Sequence, residues 1–238
     1  MSGEIPLTHP GRYGWRFWAL DGDGRLISPF TGATVDAGTL EVDCDRCGDD
    51  CPHPDCTCGI HFMPNAPSLM SSYPFSYFTM PGTTEAARPA DSADLGDVLV
   101  MRQIRDGALS FALTYGVALG GLAQDWTARS GNVIRAKRFH LLAAMIPDHA
   151  APIGPAVTGR YGCRVVHPVS VAIARDIQEQ LAASLTVDEL HALTARTVPP
   201  MRRPSMASKM AQFSGASPAM VARVVANAPP AVRKMLLG

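Results

Sequence analysis

The chain has 238 residues, 47% of them hydrophobic and only 18% charged. That excludes a disordered chain and leaves room for one large domain or two small ones. Twenty-one Gly and twenty Pro imply many turns, and 21 basic against 21 acidic residues leave a formal net charge of zero. No phosphate-binding glycine loop, hydrolase triad signature or His-Glu-x-x-His metalloprotease motif is present.

The N-terminal stretch, Met1 to Pro10, is polar and carries Glu4, without the basic start and apolar run of a secretory signal. The longest uncharged apolar stretch, Gly107 to Gln124, holds Ser110, Thr114, Tyr115 and four glycines, which suits a membrane helix poorly. A cytoplasmic protein with no membrane partner is expected, its thiols reduced and available to a metal. The zero net charge hides an asymmetry. Residues 1–100 carry 14 acidic and 5 basic side chains, residues 101–238 carry 7 and 16, and no acidic residue follows Glu189.

In chain order, Trp15 to Leu20 and Arg25 to Phe30 flank Asp21-Gly22-Asp23-Gly24. This reads as a hairpin with glycines supplying positive φ. The turn is no calcium loop, because Ala19 and Phe30 would fall where acidic ligands are required. Residues 63–97, with Pro64, Pro67, Pro74, Pro81 and Pro89, form an irregular insertion. Val98 to Ile104 reads as a strand. Leu109, Phe111, Leu113, Tyr115, Val117 and Leu119 alternate with small residues, so a long strand is expected, with an Ala-rich helix as the alternative. Val133 to Ile146 begins β-like and turns helix-friendly.

Two prolines and two glycines between Ala150 and Gly159 mark a linker. Beyond it, Ile173, Ile177 and Leu181 share one helical face, and Thr186 with Glu189 forms a capping box opening a helix to about Thr197. Pro199, Pro200 and Pro204 break it. The expected architecture is α+β. A β-rich cysteine-cluster domain over 1–150 carries a structural zinc site, and a basic α-helical module follows over 151–238.

Five of the six cysteines, Cys44, Cys47, Cys51, Cys56 and Cys58, lie within fifteen residues, with His53 and His61 among them. Cys44-Asp45-Arg46-Cys47-Gly48 has knuckle spacing, in which two thiolates bind one ion and the glycine permits the tight turn. Cys56-Thr57-Cys58-Gly59 offers a second pair. Tetrahedral zinc takes four soft donors, more candidates than places are present, and the expected set is Cys44, Cys47, Cys56 and Cys58. The site is structural rather than catalytic, and Arg46 is the cation nearest by sequence. The run His53-Pro54-Asp55-Cys56-Thr57-Cys58-Gly59-Ile60, downstream of Trp15 and Cys44, resembles a group of small actinobacterial and actinophage proteins. They carry an early Trp, a lone Cys, a His-Pro, a Cys-x-Cys-Gly-Ile run and a later Arg-Ala, echoed here in Gly131 to Ala136. That resemblance implies a ligand set of Cys44, His53, Cys56 and Cys58, displacing Cys47, and implies no activity.

At the C-terminal end, Met206 to Ala226 fits helix-turn-helix spacing. Ala211 stands at the helix contact, Gly215 in the turn, and Val221 and Val224 in the core, with Ser217 as N-cap and Pro218 at the first helical position. The run Ala211 to Asn227 resembles the lactose-repressor class of helix-turn-helix. That resemblance implies a recognition helix over 217–227 in the major groove, within a motif over 206–227. Ser217 and Arg223 are its polar candidates for base contact. Arg202, Arg203, Lys209, Arg233 and Lys234 would reach bases or phosphates. The functional expectation is a non-enzymatic zinc-containing protein binding DNA through this tail, as a regulator. The alternative is an assembly protein whose tail packs on a protein partner or a second copy.

Overall fold

The computed structural model describes residues 6, 9–29, 32–42, 44, 47, 51–53, 56, 58–71, 100, 103–104, 106–124, 133–182 and 184–198. Among these, an eight-stranded mixed sheet is joined by four α-helices. The strands are β1 (Tyr13–Leu20), β2 (Leu26–Ile27), β3 (Thr34–Val35), β4 (Thr39–Glu41), β5 (Ile60–Phe62), β6 (Ser110–Gln124), β7 (Ile134–Met145) and β8 (Arg164–Val166). The helices are α1 (Ala66–Ser71), α2 (Gly154–Tyr161), α3 (Val171–Leu181) and α4 (Val187–Ala195). The helix-turn-helix candidate over 206–227 and all its candidate nucleic-acid ligands lie outside the described residues, as does the insertion beyond α1 up to residue 97.

The expected hairpin joins β1 to β2, with Ala19 opposite Ile27 and Leu20 opposite Leu26. The Asp21 carboxylate accepts the backbone N–H groups of Asp23 and Arg25, and Gly24 takes φ +75°. That is the chemistry an Asp-Gly turn offers. β6 is the long strand expected from its alternation, and it pairs along its length with β1 and β7. Leu113, Tyr115, Val117 and Leu119 join one core with Tyr13, Trp15 and Phe17. Ala112 and Ala118 face a second core, with Trp18 and Leu20. Both faces of the sheet are therefore buried. Helices α1, α3 and α4 cover the first face through Leu69, Ile177 and Leu190. α2, through Val157 and Tyr161, lies on the second.

Three expectations differ from the structure. Val100, Gln103 and Ile104 are helical, not extended, and Val100 and Ile104 are buried against the first face. Apolar residues in so short a run satisfy either period. The expected linker at 150–159 is a 3-10 turn (Asp148–Ile153) leading into α2. Its proline stands in the first turn of the helix, where no N–H is needed, and Gly162 (φ +64°) closes the other end. The second half of 133–146 is strand. Ala136, Phe139, Leu141, Ala144 and Ile146 all reach the second core, in steps of three, two, three and two. The β6–β7 register shifts, at Leu119/Leu122 and at Tyr115/Gly116, lie opposite the two steps of three. At Tyr115/Gly116 the extra residue lies on β7 itself, a bulge that makes the strand imitate a helical period, whereas at Leu119/Leu122 it lies on β6.

The other edge of β7 is covered in three segments. β5 pairs with residues 134–136, β4 with 138–140, and β8 with 143–145, the last in parallel. The Val42 N–H bonds the Lys137 carbonyl, while Ile60 stands opposite Ala136. β4 and β5 thus form one edge strand interrupted by residues 43–59. The cysteine cluster is this excursion, a loop whose ends meet at adjacent residues of β7.

Candidate metal centre

The loop is folded back so that four sulfurs converge. The Sγ atoms of Cys44, Cys47, Cys56 and Cys58 all lie within 4.8 Å of one another. Cys44 and Cys56 are 3.7 Å apart, close to the ~3.8 Å edge expected of a ZnS4 tetrahedron with Zn–S near 2.3 Å. Cys47 and Cys58 stand at 3.1 Å. Cys56 and Cys58 are buried and Cys44 and Cys47 half-buried, and no cysteine is in a disulfide. Four sulfur donors at one point, at the border of the second core, fit a closed thiolate metal site. The four are those selected by the paired Cys spacings.

His53 is exposed and is not one of the four. It contributes main chain instead. Its carbonyl accepts the Cys56 N–H at 3.0 Å. His61 sits on β5 opposite Arg135, and its carbonyl accepts Arg16 Nη1 at 2.7 Å. Cys163 lies apart from the cluster, buried in the second core.

The Cys47 thiol is pushed up to about 12, first by its hydrogen bond with Cys58 and then by burial. The Cys58 thiol is also pushed up to about 12, with burial as the main cause. A divalent cation reverses this, because the thiolates it binds are no longer left to repel one another.

The residue that sequence reasoning missed at this site is Arg135. It lies on β7 with only 3% of its surface exposed, and its Nη1 donates to the carbonyls of Cys56, Cys58 (3.0 Å) and His53 (3.5 Å). It fixes the backbone of the second cysteine pair and sets a buried positive charge beside a centre that would carry −2 with zinc. Its Nε has no partner among the described residues. The only signal in the sequence was the Arg-Ala pair at 135–136, within the run that echoes the actinobacterial group.

Among the described residues, two of the concavities lie away from the cysteines. One, of about 670 Å³, is floored by Leu20, Ile104 and Phe111 and holds Ser110 Oγ 3.0 Å from His149 Nε2. The N–H groups of Gly107 and Ala108 at its rim are bonded to the carbonyls of Ile104 and Gln103, so neither is turned toward a developing oxyanion. The other, of about 410 Å³, holds His140, whose Nδ1 is 2.8 Å from Thr39 Oγ1, with Arg196 at its edge.

No described helix is long and apolar enough to cross a membrane. Compared with protein-family models, curated proteins and solved structures, the chain matches none.

Proposed function

We propose that this chain is a non-enzymatic, zinc-stapled protein of the cytoplasm that binds nucleic acid through its basic C-terminal segment. The observation that carries the zinc half is the convergence of four sulfurs within 4.8 Å at the neck of the 43–59 loop. All four positions of a tetrahedral ion would be filled by protein, leaving none for water or substrate, which favours a structural role over a catalytic one. The reducing cytoplasm suits the arrangement, since no cysteine is in a disulfide.

The nucleic-acid half rests on charge and spacing in the sequence. Arg196, Arg202, Arg203, Lys209, Arg223, Arg233 and Lys234 follow Glu189 without an acidic residue among them. An acid-free basic segment suits a polyanion. The Ala211, Gly215 and Val221 pattern would set Ser217 and Arg223 toward base edges.

The test uses the full chain, zinc-loaded, titrated with labelled duplex DNA by fluorescence anisotropy. About five phosphate contacts give a log–log salt slope of roughly −4 to −5. Replacing Arg202, Arg203 and Lys209 by Ala should flatten the slope by about one unit per lost phosphate contact. Binding that ignores salt, or no binding at 50 mM salt, overturns the nucleic-acid half. The charge asymmetry supports a second reading, in which the acidic first 100 residues of one copy meet the basic tail of another. Salt-sensitive self-association without DNA binding would select that reading.

A further inference from the structure

We propose that Cys51 is a reserve ligand of this metal centre, able to replace Cys47 on the ion; the proposal rests on the zinc reading above. Zinc needs four donors and the loop brings a fifth thiol into contact with them. Cys51 is buried, and its Sγ lies 3.2 Å from Cys58 Sγ, almost the distance at which Cys47 stands from that sulfur. Cys47 and Cys51 thus flank Cys58 at nearly equal range. Each contact with Cys58 must open by only ~0.6 Å to reach the edge of a ZnS4 tetrahedron, and Cys51, which is not one of the four sulfurs lying within 4.8 Å of one another, must also close on Cys44 and Cys56.

The two differ in what surrounds them. Cys47 is half-buried on a turn, whereas Cys51 is buried and belongs to the second core. With Cys47 on the ion, Cys51 donates its S–H to the Cys58 sulfur. When Cys47 leaves, the Zn–S bond to Cys47 breaks and one to Cys51 forms. The Cys51 proton passes through solvent to the departing Cys47 thiolate. The centre keeps four thiolates and its charge of −2. The more accessible ligand can therefore come off without the ion being lost, a property a four-cysteine loop would lack.

Cobalt(II) in place of zinc tests this on the full chain, because its sulfur-to-metal charge-transfer absorption scales with the number of bound thiolates. Cys47→Ser should retain the intensity per cobalt of the unmodified protein, and so should Cys51→Ser. The double variant Cys47→Ser/Cys51→Ser should fall to about three quarters. Cys47→Ala, with no oxygen to offer the metal, guards against serine ligation and against one poorly folding variant. A drop to three quarters, or loss of cobalt, in both single Cys47 variants overturns the proposal while leaving the zinc reading intact. Failure of the unmodified protein to bind zinc or cobalt sinks that reading and this one with it.

Discussion

Val42 and Ile60 hold neighbouring positions on β7, Val42 through its N–H to the Lys137 carbonyl and Ile60 opposite Ala136, with the whole cysteine loop between them. Each end of the loop is thus fixed by its own strand pairing, β4 or β5, and not by the metal. Chelating the ion should release residues 43–59 while the sheet persists. Hydrogen exchange checks this: with chelator, amides of the loop should lose protection by tenfold or more, and those of β6 and β7 should change little. The melting temperature should fall with metal removal, since a ligand that binds only the folded loop stabilises it. Global exchange at the same chelator concentration would show instead that the sheet depends on the ion.

Arg135 closes the loop from the opposite side. Three carbonyls, of His53, Cys56 and Cys58, converge on its Nη1. Arg135→Met would keep the apolar stem and leave those acceptors without their charged donor. Hydrogen bonds to charged groups contribute ~1.5–3 kcal/mol each, though bonds sharing one donor do not add fully. A loss of about 3 kcal/mol is expected in urea denaturation of the zinc-loaded protein. Arg135→Lys should recover only part of it, because one ammonium lacks the planar fork. Zinc affinity should drop although all four thiolates remain. An unchanged midpoint would mean that the backbone of the cysteine pair is held by the metal alone.

The parts legible in the sequence were those whose periods are undisturbed. The strict alternation of Leu109 to Leu119 gave β6, the Asp-Gly turn gave the β1–β2 hairpin, and Thr186 with Glu189 gave the start of α4, whose capping box is formed in both directions. The spacings of Cys44 with Cys47 and of Cys56 with Cys58 pointed to the four sulfurs that converge, while leaving His53 as a competing ligand. What escaped was long-range or irregular. Register shifts in the β6–β7 ladder broke the period of 133–146, and Pro152 and Pro155 read as a linker where one lies inside a 3-10 turn and the other in the first turn of α2. Arg135 could not be assigned to the site because its carbonyl partners lie 77 to 82 residues away. Nor does composition reveal that β4 and β5 are one interrupted edge.

Proton release should accompany metal binding. The Cys47 and Cys58 thiols, both raised to about 12, are protonated at neutral pH without the ion and deprotonated with it. Binding therefore expels at least these two protons, and mass action makes zinc affinity fall as pH falls. Calorimetric zinc titrations at pH 7 in buffers of different ionisation enthalpy should give two or more protons released per zinc. Between pH 7.5 and 6.5 the dissociation constant should rise by about a hundredfold or more, as two protons require. A slope of one proton or less would mean that the thiolates already exist in the metal-free protein.

His140 supplies an acid-sensitive element independent of the ion. It lies on β7 opposite Thr39, and its pKa is lowered to about 4, mainly by burial and secondarily by the Arg196 charge. The neighbouring pair Arg138 and Glu41, 2.9 Å apart, faces the same edge with one charge of each sign. The unfolded chain takes up the imidazole proton near 6.5 and the folded chain only near 4. Below 6.5 the unfolded state binds more protons, so the stability from neutral His140 is complete above that pH. It is lost progressively as pH falls toward 4. His140→Gln can still bond the Thr39 hydroxyl but cannot titrate. Its urea midpoint should therefore fall less than that of the unmodified protein between pH 7.5 and 4.5. Acid loss of zinc weakens both proteins alike and cancels in the comparison. Parallel curves for the two proteins would show that His140 is protonated alike in the folded and unfolded chain.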